Sequence, residues 1–163
     1  MRFRLEQRFT APIAAVEAAF LDPALLADLA TLPKLGRPAL LSSADDGDVV
    51  TRDVRYAFTG ELAPAVTRAV DPDRLTWVEH SQFDRRTHRG VFHVRPDHYA
   101  ERFTCSATVA LEREGDGTLR VVEGDLRVRF PLVGSTVERA IVAGLREHAA
   151  AEARVVQGRL DRR

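Results

Sequence analysis

The clearest candidate for chemistry in this chain is a glutamate inside the apolar stripe of its last predicted helix, residues 135–160. When each residue is advanced by about 100°, Ile141, Leu145 and Val156 fall on one side of that helix. Glu152 lies near the middle of this apolar side, and His148 precedes it by one turn. Burying a carboxylate without a partner costs several kcal/mol, so Glu152 requires either an ion-pair partner or a function.

Two hypotheses therefore apply to Glu152. In the first, it is a free carboxylate in a dry pocket, where it acts as an acid or base or anchors a ligand hydroxyl, with His148 assisting. In the second, which we favour, it pairs with an arginine of the sheet, because structural ion pairs are common around buried carboxylates.

Arg52 is our candidate for that arginine. Either the Arg52 guanidinium enters the interior, or the aliphatic part of the side chain packs there while the guanidinium reaches solvent. We favour the second arrangement. Its strand face also carries the apolar and aromatic residues Val50, Val54, Tyr56 and Phe58.

Two further polar residues share strand faces with apolar ones. Glu79 lies on the face of Leu75, Trp77 and Phe83, and Gln7 lies on the face of Phe3, Leu5 and Phe9. Each either lines a pocket or marks the end of a strand, and the second interpretation is favoured because more polar groups lie at a pocket's rim than inside it.

The histidines first suggest a metal site with Cys105, but their spacing argues against one. His88, His93 and His98 are separated by odd numbers of residues, which places neighbours on opposite faces of a strand. We therefore predict no metal and no cofactor. The lone Cys105 is interpreted as a small buried hydrophobic residue rather than a nucleophile.

Composition excludes several classes of protein. Acidic and basic side chains balance at 24 each, which removes the bulk electrostatic argument for nucleic-acid binding. The longest stretch without a charge is far shorter than the roughly 20 residues of a spanning helix, so the chain is not expected to be membrane-embedded. One cysteine excludes an internal disulfide, which is consistent with the cytoplasm. The sequence specifies no oligomeric state.

The hydrophobic pattern predicts one α+β domain over residues 1–163. A strand alternates over residues 2–9, and two short helices follow it, the first opened by Thr10 and Pro12. Residues 61–70 fit a helical turn or a strand equally well. The other predicted strands cover residues 40–43, 49–58, 75–83, 90–95, 102–112 and 119–130, and the first two flank an Asp-Gly hairpin turn. The long C-terminal helix must bury its stripe against the sheet.

This order of elements resembles the helix-grip fold of the START-like, Bet v 1-like superfamily, and within it an uncharacterised actinobacterial family. The residues that carry the resemblance are Phe9-Thr10-Ala11-Pro12, Val16, Gly124-Asp125, Pro131-Leu132-Val133-Gly134, Val137-Glu138, Ile141, Gly144 and Glu152. The resemblance implies a curved antiparallel sheet of about seven strands around the last helix. It also implies a cavity between them for a hydrophobic small molecule such as a lipid or polyketide.

Our leading hypothesis is a non-catalytic carrier or sensor of such a molecule. The alternatives are a polyketide cyclase or aromatase that uses Glu152 or His148, and a protein-interaction module with no ligand. No catalytic residue is assigned. The predicted ligand-binding residues are Arg52, Tyr56, Trp77, Leu126, Ile141, Leu145, His148 and Glu152.

Overall fold

A computed structural model of the protein describes residues 1–32, 34–68 and 70–162. Its helices are α1 (Ile13–Leu21), α2 (Leu25–Leu29), α3 (Pro64–Thr67) and α4 (Gly134–Leu160), with a 3-10 turn at Pro72–Arg74. Its strands are β1 (Arg2–Phe9), β2 (Ala39–Asp45), β3 (Val49–Ala57), β4 (Thr76–Asp84), β5 (Arg89–Pro96), β6 (Phe103–Glu114) and β7 (Gly117–Val128).

The seven strands form one antiparallel sheet in the order β1-β7-β6-β5-β4-β3-β2. The chain therefore runs as a meander from β2 to β7, and β1 closes onto β7. This is the predicted helix-grip architecture, and the prediction of fold class is confirmed.

Local chemistry explains where the strands begin and end. Gly47 adopts a φ of 96° in the Asp-Gly turn between β2 and β3, a conformation that costs glycine little. Gly115, with a φ of 60°, lies in the tight turn between β6 and β7, whose pairing extends to Glu114 and Gly117. At its other end β7 stops at Val128, whose amide donates to the Glu138 carboxylate at 2.9 Å instead of to a strand.

The long helix α4 lies on the concave side of the sheet, where it packs mainly against β1, β7, α1 and α2. Two apolar clusters hold it there. One joins α1 and α2 to Phe9, Leu111 and Val156, and the other joins Phe3, Val109, Val122, Leu126 and Val142. Because α4 lies over the β1–β7 end of the sheet, the concave faces of β3, β4 and β5 are outside its main contacts.

Candidate functional site

Strand pairing fixes which side chains share the concave face with α4. Tyr56 pairs with Trp77, and Glu79 lies between Val54 on β3 and Val94 on β5. At the other end of the sheet Gln7 pairs with Arg120. Side chains alternate between the two faces of a strand, so these residues all face inward.

Several of these inward side chains remain partly accessible although their strands are internal to the sheet. We call them, with the half-buried residues of α4 that face them, the inner surface. Its members are Tyr56, Trp77, Glu79, Phe92, Val94, Ile141, Leu145 and His148. Leu126, by contrast, is fully buried in the core.

Glu152 is held by two partners from the sheet. Gln7 Nε2 donates to Glu152 Oε2 at 2.9 Å, and Arg120 Nη1 donates to the same oxygen at 3.4 Å. Arg120 also donates to Gln7 Oε1 and lies 4.3 Å from the centre of the Phe20 ring. The predicted ion pair with a sheet arginine is confirmed, and the hypothesis of a free Glu152 is wrong.

Arg52 is not the arginine that pairs with Glu152, so that expectation is wrong. Its guanidinium donates to the carbonyl oxygens of Phe20, at 3.4 Å, and Leu21, at the C-terminus of α1. The charge therefore does not escape to solvent, because carbonyls at a helix C-terminus attract cations. Its Nε is buried without a partner among the described residues.

Glu79 is the inward carboxylate without a partner. Within the described part of the chain, no hydrogen bond or ion pair reaches it, and its cross-strand neighbours are both valines. The pKa of Glu79 is raised to about 7, mainly by burial and in part by the charge of Glu152, with Arg120 partly opposing both. This carboxyl group is therefore poised to exchange a proton near neutral pH.

Two aromatic rings adjoin Glu79. Tyr56 and Trp77 stack with their centroids 5.8 Å apart and their planes 19° apart. Burial raises the pKa of the Tyr56 phenol well above its usual value, with added repulsion from Glu79 and Glu152. The phenol thus stays neutral and can donate a hydrogen bond.

On α4, His148 has a buried Nδ1 with no partner in the described residues. An unsatisfied buried nitrogen costs free energy unless a water or a ligand meets it. Between His148 and Ile141 lies Gly144, where an added Cβ would meet no atom within 4 Å. The helix edge beside the inner surface is therefore open.

The open space at Gly144 gives a testable prediction. Gly144→Ala should raise the free energy of unfolding by about 0.5–1 kcal/mol, because alanine lowers the entropy cost of the helix without a clash. Gly134→Ala is the contrasting variant and should destabilise, since its Cβ would lie 2.5 Å from the Val128 carbonyl oxygen. Urea unfolding measures both, and a destabilising Gly144→Ala would show that the space is filled.

His80 and His88 have carboxylate partners elsewhere, whereas Cys105 lies on the inward face of β6 beside Val94. His80 contacts Asp53 at 2.7 Å and His88 contacts Glu17 at 2.6 Å. Burial raises the pKa of the Cys105 thiol to about 11, so it stays a protonated, weakly reactive group. In residues 1–32, 34–68 and 70–162, no three His, Cys, Asp or Glu side chains are placed to hold a metal ion.

A separate groove of about 530 Å³ lies mostly on the convex face of the sheet. Its lining includes His93, Arg95, Thr104, Ser106 and Arg127. It contains none of the predicted ligand-binding residues, although Val94 lines it as well as the inner surface.

The sequence pattern did not identify Arg120 as the partner of Glu152, and it favoured a place at a strand end for Glu79. Arg120 has the same strand parity as Val122 and Leu126, which would have placed it on the inward face. Glu79 was recognised on an apolar face, but its lack of a partner depends on which strands flank β4.

The sequence model of the family described as "Protein of unknown function (DUF2505)" matches residues 4–160. No curated protein matches the chain by sequence. The described helices include none long and apolar enough to cross a membrane.

Solved structures similar to this one include TTHA0849 from Thermus thermophilus, with a TM-score of 0.68, 16% identity, and coverage of 98% of this chain and 97% of that one. Norcoclaurine synthase from Thalictrum flavum has a TM-score of 0.64 at 16% identity, with coverage of 96% and 86%. Ara h 8.0201 has a TM-score of 0.60 at 12% identity, with coverage of 100% and 99%. At such identities the likeness establishes the fold alone, the Bet v 1-like helix-grip fold.

Proposed function

The chain belongs to the DUF2505 family, and from the geometry of the inner surface we propose that it binds an amphipathic small molecule between α4 and strands β3 to β5. It would act as a carrier or sensor of that molecule. The actinobacterial origin of the family stays a prediction.

The observation that carries this proposal is the accessibility of large side chains in the middle of the sheet. Trp77 and Phe92 lie on strands with neighbours on both sides, on the concave face but outside the main contacts of α4, and both are only half buried. A filled core would close such side chains, since interiors pack densely. An apolar surface with a few polar groups, here Glu79, Tyr56 and His148, is typical of a ligand site.

A bulky side chain placed on the inner surface tests the proposal. Leu145→Trp should abolish binding of N-phenyl-1-naphthylamine, a neutral apolar probe, because Leu145 faces the inner surface from α4. The matched control is Val91→Trp, which lines a groove on the convex face and should leave binding unchanged. Probe emission measures both variants. Loss of binding in Val91→Trp alone, or no binding to the wild type, contradicts the proposal.

A second candidate, a proton-transferring enzyme, is favoured by one observation. The pKa of Glu79, raised to about 7, matches that of a general acid or base working at neutral pH. Glu79 would then take the role that the sequence suggested for Glu152. In that case Glu79→Gln would abolish turnover while ligand affinity is kept.

A further inference from the structure

The unpartnered Glu79 indicates what kind of ligand the site takes, and this inference rests on the function proposed above. The other two charged groups that face it, Arg120 and Glu152, are bonded to each other and to Gln7. Arg52 has turned away to α1. The Glu79 carboxylate therefore has no protein partner among the described residues and is available to a ligand on the inner surface.

The charges around Glu79 disfavour an anion. Glu152 on α4 lies close enough to repel it, and Arg120 on β7 only partly compensates. The other titratable groups near it, Tyr56 on β3 and Cys105 on β6, have raised pKa values and stay neutral. His148 on α4 offers a ring nitrogen. A ligand carboxylate placed here would meet two carboxylates and one engaged guanidinium.

The same surroundings suit a cation. Glu79 shares its strand face with Trp77, two residues away, and Trp77 stacks on Tyr56, which leaves one face of each ring outside the stack. Aromatic faces attract an ammonium group, most strongly when it is desolvated, and a carboxylate supplies the charge-assisted hydrogen bond.

We propose that Glu79, with Tyr56 and Trp77, binds the ammonium head of a cationic amphipathic ligand. Its apolar body lies along Phe92, Val94, Ile141 and Leu145. The ligand class is thus an aliphatic or arylalkyl amine rather than a fatty acid.

Trp77 allows a direct test because it is the only tryptophan of the chain and stands in the proposed site. Decylamine, decan-1-ol and decanoate share one chain length and differ in the head group. At about pH 8, titration of Trp77 emission should give decylamine an affinity about 10-fold or more above that of decan-1-ol, with decanoate weakest. Isothermal titration calorimetry checks the same three affinities.

Glu79→Gln separates the head-group contact from the apolar contact. In this variant the preference for decylamine over decan-1-ol should fall below about threefold, while decan-1-ol itself binds within about threefold of wild type. Glu147→Gln, on the exposed side of α4, is the control and should keep the preference.

Each outcome decides between the claims. Decanoate binding as tightly as decylamine, or a preference that survives Glu79→Gln, overturns the inference and leaves the proposed function standing. Failure of all three ligands to bind overturns both.

Discussion

Replacing Arg120 by methionine should lower the free energy of unfolding by about 3–5 kcal/mol, the usual cost of removing one partner of a buried ion pair. The side chains of Arg120 and Glu152 are only 12% and 15% exposed, so solvent cannot replace the lost partner. The change also removes the guanidinium from the Phe20 ring and strips a hydrogen bond from Gln7. Urea unfolding followed by circular dichroism measures the loss.

A double variant shows whether the ion pair causes that loss. Arg120→Met with Glu152→Gln removes both charges and should recover half or more of the stability, because no carboxylate is then left buried alone. Arg4→Met is the matched control, since its partner Glu123 is 57% exposed, and should cost less than about 1 kcal/mol. A double variant no more stable than Arg120→Met would contradict this account of Glu152.

Replacing Glu79 by glutamine should stabilise the protein above neutral pH and leave it unchanged in acid. Because the folded-state pKa of Glu79 is raised to about 7, the native state holds a proton that the unfolded state has lost. The wild type therefore loses stability as the pH rises from the pKa of Glu79 in the unfolded chain toward its folded-state pKa of about 7. Above that pH the loss is constant. Glutamine cannot ionise, so the variant escapes it. Each pKa unit corresponds to about 1.4 kcal/mol, and after allowance for the partial exposure of the side chain the difference should reach about 2 kcal/mol.

Unfolding curves at about pH 4, 6 and 8 measure this difference. The two proteins should converge at the lowest pH and separate as the pH rises. Glu101→Gln is the control, because that side chain is 76% exposed and should show no such pH dependence. A Glu79→Gln variant that is less stable than wild type at about pH 8 would show that the ionised carboxylate has a partner.

The two predictions concern two carboxylates whose roles differ from first expectation. Glu152, which the helical pattern singled out, is the one that the sheet neutralises. Glu79 is the one that β3 and β5 leave open. Whether a buried carboxylate is paired depends on its neighbours and not only on its position in the sequence. The carboxylate available to a ligand is therefore Glu79 on the sheet rather than Glu152 on the helix.

The fold was predictable because its signals are local. Alternation over residues 2–9 specifies a strand, the turn residues at Gly47 and Gly115 specify hairpins, and the stripe on α4 specifies which side of the helix is buried. The segment at residues 61–70, where Pro64 left helix and strand equally possible, contains the short helix α3.

The site was less predictable because its contacts are distant in sequence. Gln7 and Arg120 are 113 residues apart and meet only because β1 pairs with β7. Arg52 illustrates a second difficulty, since a long side chain can reach partners in several directions from one strand position. Its strand face was predicted, but the choice of the α1 carbonyls depends on where α1 packs.

The most direct test of a ligand under α4 is the crystal structure of the protein with decylamine. The account predicts electron density for the chain between Trp77 and Leu145, with the nitrogen about 3 Å from the Glu79 carboxylate. Density for decylamine in the convex groove beside His93 and Arg95, with none beneath α4, would contradict it.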